Sequence, residues 1–399
     1  MKIKDLCYFC GLPETQAGVL VQGKMAKICQ TCILDAAALF EVDADKETDF
    51  GHQAQTSESF EFGFELMKPA EILAKLDEYV IGQQHAKKVL VVAIYNHYKR
   101  ILYNRSGNEI EKSNILLIGE TGTGKTFLAK TLAKILKVPF TIADATAITE
   151  AGYVGEDVET IITRLVQAAG GNLKAAEMGI VYLDEVDKLA RKSENTSLTR
   201  DVGGEGVQQA LLKILEGSLV YAPPNGGRKH PDQKMLQVNT QNILFICGGA
   251  FVGLDKKISS RLDAKPIGFQ IPESNPFDAQ NPLSEVTPTD LKAFGLIPEF
   301  IGRLPVVAWL DPLSPQALRS ILTEPKNAIL KQYQQLLALD GIELVFEDET
   351  LDLIVSKAID LGLGARGLRS ICEKFMLDIM FEAPTQKKKK IVVSPQMIG

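Results

Sequence analysis

The chain has 399 residues, 45% of them hydrophobic and 24% charged, which is enough apolar material for two or three packed domains and excludes an intrinsically disordered protein. Lys and Arg total 44 against 50 for Asp and Glu, so the broad cationic face that grips nucleic-acid phosphates is not expected. The longer apolar runs, such as residues 89–95, fall well short of the ~18–20 residues that span a bilayer, and a soluble protein without membrane contact is expected.

At the N-terminus, Cys7 and Cys10 arrive before any apolar leader could form, and an Arg-rich transit pattern is missing; the expectation is a cytoplasmic protein. In that reducing compartment the six cysteines are not read as a disulfide framework. Cys7-x-x-Cys10 and Cys29-x-x-Cys32 are separated by 18 residues, a spacing that suits a four-thiolate zinc site. Residues 1–40 are too few to bury a core unaided, so metal–ligand bonds would supply most of their folding free energy. Four thiolates leave no open position, which makes the zinc structural; a redox dithiol is the competing reading. These residues carry four Lys, no Arg and three acids, a poor surface for DNA, so the module is expected to contact protein. Cys247 and Cys372 lie in apolar runs and read as packing residues.

Between Glu41 and Glu61 seven acids meet a single base, Lys46, with no apolar period, so residues 41–65 read as an acidic flexible linker. From residue 66 the pattern becomes that of amphipathic helix (Ile72, Leu76, Tyr79, then 89–98). Short β-type runs follow at 115–118, 140–142, 180–183, 243–247 and 306–309, with helical stretches between them. That alternation predicts an α/β domain over 66–312, a parallel sheet flanked by helices.

Directly after the first run comes Gly119-Glu120-Thr121-Gly122-Thr123-Gly124-Lys125-Thr126-Phe127. This is a phosphate-binding loop in the required strand-to-helix setting. Its glycines let backbone N–H groups point at phosphate oxygens, Lys125 reaches the β and γ phosphates of ATP, and the Thr126 hydroxyl is placed for Mg. The run at 180–183 ends in Asp184-Glu185, the expected Mg-holding carboxylate and the general base for an attacking water. With no acceptor-binding motif in view, hydrolysis is expected rather than transfer.

Other segments are ambiguous by themselves. Tyr153 and Val154 sit between Gly152 and Gly155, as in a turn with a buried aromatic. Arg228, Lys229 and His230 follow Pro and Gly pairs and suit an exposed turn. Ile267, Gly268 and Phe269 fall in a Pro-rich stretch, 263–289, read as one long loop; they either fold back or enter a pocket on another protein. Arg303 and Arg366 read locally as surface ion-pair residues. Beyond residue 312 the text is mostly helical (316–339, 350–359, 367–381), with one strand at 343–346, so 313–399 is predicted to be a small, mostly helical C-terminal domain. The lysines at 387–390 read as the solvated end of a strand.

Taken together, the four cysteines, the loop at 119–126, Asp184-Glu185, residues 203–209, Arg228-Lys229-His230 and 364–367 resemble the ClpX family of hexameric AAA+ unfoldases, from about Cys7 to about Phe381. The tail after Glu382 is less similar, and Glu120 replaces the family's usual Pro in the phosphate loop. The resemblance implies a homo-hexamer with ATP, Mg and Zn as cofactors. Val80 and Ile81 would contact adenine, Arg303 would reach a neighbour's γ-phosphate, and Arg366 would sense the nucleotide in its own subunit. It further implies that Tyr153, Val154, Arg228, Lys229 and His230 handle substrate in a central pore and that Ile267, Gly268 and Phe269 dock on the ClpP peptidase. Residues 191–196 correspond by position to a further pore loop. The zinc module would dimerise and receive protein substrates or adaptors. A nucleic-acid motor would need a basic strand-binding stripe, and a remodeller without a peptidase would not need the 267–269 loop. With four histidines and no nucleophile motif beside any of them, peptide-bond cleavage by the chain itself is not expected.

Overall fold

The computed structural model describes residues 6–13, 16, 19–22, 26–33, 66–103, 110–149, 156–191, 204–223, 235–262, 281–385 and 389–398. The chain divides into two compact units, Met1–Glu58 and Ser59–Gly399. In the first, strands β1 (Leu20–Gln22) and β2 (Lys27–Cys29) form an antiparallel pair, and among the described residues Cys7, Cys29 and Cys32 are buried together.

The second unit opens with helices α1 (Pro69–Asp77) and α2 (Gln84–Tyr103). Glu71 caps α1 by accepting the Lys68 N–H at 3.1 Å. A five-stranded sheet follows, made of β3 (Ile115–Ile118), β4 (Phe140–Asp144), β5 (Ile180–Asp184), β8 (Leu244–Gly249) and β9 (Val306–Trp309), in the order β4-β5-β8-β3-β9. Every pairing in it is parallel. Its central strands are apolar throughout because both faces are covered. Alternation splits them: Ile115, Leu117, Tyr182 and Ile246 pack with α1, α2 and α3 (Lys125–Leu136). Leu116, Ile118, Leu183 and Phe245 pack on the other face with α4 (Val158–Ala168) and α6 (Glu205–Glu216). The short α5 (Leu173–Ala176) leads into β5. At the sheet's opposite end Lys112 Nζ, Arg100 Nη2 and His97 Nε2 lie 2.9, 3.0 and 3.0 Å from the successive carbonyl oxygens of Thr240, Gln241 and Asn242, fixing the entry to β8.

The strands at 115–118 and 306–309 fall where the sequence pattern set them, β4 and β5 run two residues and one residue further, and β8 starts one residue later and ends two later than expected. An antiparallel hairpin, β6 (Leu219–Ala222) with β7 (Leu236–Asn239), was not read from the pattern. The Pro-rich loop needs correcting in its described part. After α7 (Leu254–Leu262) and the undescribed 263–280, a 3₁₀ turn forms over Pro282–Glu285, and α8 (Pro288–Phe294) starts inside the expected loop. Pro288 is its first helical residue, where a missing N–H costs nothing.

The short α9 (Pro298–Gly302) precedes β9. After it the chain builds α10 (Pro315–Thr323), α11 (Ile329–Leu339), β10 (Glu343–Phe346), α12 (Asp348–Asp360), α13 (Ala365–Glu382) and β11 (Lys390–Val393). Leu322, Leu337, Ile354, Leu368 and Cys372 fill their common core. The single helical stretch expected over 316–339 is two helices, since Pro325 cannot continue the first. β11 pairs in parallel with β10. Cys247 and Cys372 are buried free thiols. No helix among the described residues is long and apolar enough to cross a membrane.

Close packing beneath the carboxylate end of β5 gives a stability test. A Cβ added at Gly248 would lie 2.0 Å from the Tyr182 hydroxyl oxygen. Gly248→Ala is expected to lower stability by about 1–3 kcal/mol, read as a reduced urea midpoint; an unchanged midpoint would contradict the close approach.

Candidate functional site

Parallel strands place all their C-terminal ends on one edge of a sheet, and the loops leaving that edge build the site. Here β3 delivers the glycine-rich loop and β5, two places away, delivers the two acids. The Thr126 hydroxyl donates to Asp184 Oδ2 at 3.0 Å, closing the distance between them. Asp184 Oδ1 accepts the Glu185 N–H at 3.0 Å. Glu185 itself has a φ of +58°, a left-handed conformation that non-glycine residues adopt at a cost and that concentrates at functional sites.

Lys125 Nζ donates to the Gly119 carbonyl and, at 2.9 Å, to that of Glu120. These are neutral acceptors. Burial holds its ammonium below the ordinary range; Asp184 and Asp187 oppose the shift and Arg366 adds to it. A polyphosphate entering beside Lys125 would restore the charge that burial disfavours.

The cavity around these groups is about 520 Å³, within the range of small-molecule sites. Val80, Ile81, Thr121 to Phe127, Asp184, Glu185 and Arg366 all line it. Gly119 and Glu120 act from behind, through the carbonyls that hold Lys125. The C-terminal elements supply the far wall, including Ile321, Asn327 and Gln332. They touch the phosphate loop directly: the Ala365 N–H donates to Gly122 O at 3.2 Å. A Cβ at Gly122 (φ +85°) would fall 2.3 Å from Leu363 O, so only glycine fits there.

Arg303 stands outside this cavity. It is half exposed, with its Nη2 2.8 Å from Glu216 Oε1. Tyr153, Val154, Arg228, Lys229, His230, Ile267, Gly268 and Phe269 lie outside the described residues, as do residues 192–196.

Two contributors escaped the sequence pattern. Asp187, two residues past Glu185, accepts the N–H groups of Ala250 and Phe251, each at 3.2 Å, and so ties the end of β5 to that of β8; the run of acids in Asp184-Glu185-Val186-Asp187 could have flagged it. Gln83 is buried, has a φ of +57°, and pairs with the backbone of Asp311 in both directions at 2.8 Å. It fastens the segment carrying Val80 and Ile81 to the connection between β9 and α10, and no spacing rule points to it.

In the N-terminal unit the sulfurs of Cys7, Cys10, Cys29 and Cys32 all lie within 4.8 Å of one another. The Cys10 and Cys29 sulfurs are 3.8 Å apart. Tetrahedral zinc with bonds of about 2.3 Å sets its sulfurs about 3.8 Å apart, so the donor set fits that ion. The Cys29 N–H, donating to Cys7 Sγ at 3.2 Å, favours the thiolate form a metal needs. Purified chain is expected to release about one zinc to a strong chelator, with the N-terminal unit then losing protease resistance. Equal resistance before and after chelation would remove the structural role.

Residues 110–307 match the family model described as AAA domain (Cdc48 subfamily), and residues 313–393 match that of the C-terminal, D2-small domain, of ClpB protein. A protein of Bacteroides thetaiotaomicron is 55% identical over 397 residues, covering 98% of this chain and 94% of its own. One from Porphyromonas gingivalis is 54% identical over 395 residues, with 98% and 95% covered. Another from Treponema denticola is 51% identical over 400 residues, with 99% and 94% covered. Each of the three bears the name ATP-dependent Clp protease ATP-binding subunit ClpX.

Proposed function

This chain belongs to the ClpX family of AAA+ ATP-binding Clp protease subunits, and we propose that it is an ATP-driven unfoldase that threads protein substrates through a homo-hexameric ring into the ClpP peptidase. The observation that carries the ATPase step is the meeting of Lys125, the Thr126–Asp184 pair and Glu185 in one cavity walled by both the sheet domain and the C-terminal domain.

When nucleotide enters, Lys125 exchanges the neutral carbonyls of Gly119 and Glu120 for phosphate oxygens, whose negative charge complements its ammonium. Val80 and Ile81 offer apolar contact to adenine. Thr126 and Asp184 would hold Mg, which neutralises phosphate charge when bound. Glu185 takes the proton of the attacking water. Arg366 approaches the same nucleotide from the C-terminal domain, and Arg303, outside its own cavity, serves the γ-phosphate of a neighbouring subunit.

Hydrolysis then alters how the C-terminal domain sits on the phosphate loop, because that domain touches Gly122 and follows directly on Asp311, which Gln83 fastens to the adenine-contacting segment. On this reading Tyr153 and Val154 grip the substrate, Arg228, Lys229 and His230 meet its tag at the pore entrance, and Ile267, Gly268 and Phe269 dock on ClpP. The division into residues 1–40, 41–65, 66–312 and 313–399 assigns zinc module, tether, motor and lid. The zinc module, held by Cys7, Cys10, Cys29 and Cys32, dimerises and receives substrates or adaptors, and the assembly works in the cytoplasm.

The test is ATP-dependent loss of fluorescence from a tagged, folded reporter, run with and without ClpP. Loss is expected in both settings, with fragments appearing only when ClpP is present. Glu185→Gln is expected to slow hydrolysis by about 10²–10⁴-fold while nucleotide still binds. Turnover stimulated solely by DNA, or no turnover at all, would sink the proposal.

A further inference from the structure

A buried glutamine joins the carboxylate end of β5 to the segment carrying Arg303. Gln208, on α6, is fully buried. Its Nε2 donates to Leu189 O at 2.7 Å, and its Oε1 accepts the Ile297 N–H at 2.8 Å. Leu189 closes the 3₁₀ turn, Val186–Leu189, that follows Asp184-Glu185. Ile297 is the N-cap of α9 and Arg303 is its C-cap. The two segments therefore meet through one side chain.

They also meet directly. The Arg191 N–H donates to Gly295 O at 3.0 Å, and a Cβ at Gly295 would fall 2.7 Å from Arg191 O. The Arg191 guanidinium pairs with Glu205, one turn before Gln208 on α6. Phe300, fully buried, fixes the middle of α9. Buried Asn114 fixes its end, donating to Arg303 O at 2.9 Å and Leu215 O at 3.2 Å. The result is a guanidinium facing solvent on a backbone held at both ends.

We infer that Gln208 is a positioning residue that couples the nucleotide state at Asp184-Glu185 in one subunit to the placement of Arg303 toward the next. This rests on the reading of Arg303 as an arginine acting in trans. An amide is suited to the task because it donates to a carbonyl and accepts from an N–H at once, in a single orientation. Both bonds are buried, so letting either go strands a backbone group away from water. A shift of the Val186–Leu189 turn, which begins at the left-handed Glu185, is accordingly passed on to Ile297 and α9.

Mixed rings separate this role from a general structural one. Glu185→Gln subunits hydrolyse ATP about 10²–10⁴-fold more slowly but still present Arg303, whereas Arg303→Ala subunits can hydrolyse when a neighbour lends its arginine. Mixing the two is expected to restore ATP turnover above that of either alone. Adding Gln208→Met to the Glu185→Gln donor should cut the restored rate about tenfold. The same change placed in the Arg303→Ala acceptor should leave the restored rate within about twofold, which also shows that the altered subunit folds and assembles. Gln208→Glu, which keeps the acceptor for Ile297 but loses the donor to Leu189, should likewise impair only the donor. Equal loss in both positions, or no loss in the donor, overturns the coupling. If the parent mixture shows no restoration, the trans reading of Arg303 itself fails and takes this inference with it.

Discussion

The 3.0 Å hydrogen bond from Thr126 to Asp184 is the contact around which the site is arranged, and the sheet exists in the form that makes it possible. It links the loop leaving β3 to the end of β5 across the intervening β8. Only a sheet whose strands all run the same way, buried on both faces, brings those two ends to one edge in register. The covering helices keep Ile115, Leu117, Tyr182 and Ile246 on one side and Leu116, Ile118, Leu183 and Phe245 on the other. The apolar cores therefore matter to the chemistry through the position they impose on a hydroxyl and a carboxylate.

The C-terminal domain completes the site from the other side, and polar contacts among the described residues attach it. Ala365 reaches Gly122, Lys326 Nζ lies 2.7 Å from Glu78 Oε2, and Gln83 holds Asp311 just before the domain begins. A neutral hydrogen bond such as that from Ala365 contributes about 0.5–1.5 kcal/mol net, and an exposed ion pair such as Lys326–Glu78 about 0–1 kcal/mol. On the proposed reading, an arrangement held by such contacts responds to the nucleotide that fills the cavity.

The phosphate loop was legible because phosphate chemistry restricts its spelling: glycine for the bend, lysine for the charge, a hydroxyl for the metal. Strands β3 and β9 were legible for a different reason, since burial on both faces leaves an uninterrupted apolar run. Helix α8 was missed because its start at Pro288 falls inside 263–289, read as one loop, and the break at Pro325 was missed because 316–339 was read as one helical stretch. Gln83 and Gln208 were invisible to any periodic reading. A glutamine among helical residues looks like a solvated one until the chain folds and two backbone groups, 19 residues before it and 89 after it, arrive at its amide.

Arg303 shows how an exposed arginine is kept ready without being trapped. Glu216 holds it, but both side chains are about half exposed, and pairs of that kind contribute about 0–1 kcal/mol. On the proposed reading the competitor is a γ-phosphate in a subunit interface, where water is scarce and a charge-assisted bond gains strength. Exchange of Glu216 for phosphate then runs downhill. The backbone under Arg303 is fixed by buried bonds through Asn114 and Ile297, while its side chain has only a weak, solvated tie. Rigidity in the backbone and freedom at the guanidinium are what a group needs if it is to report one subunit's state to another.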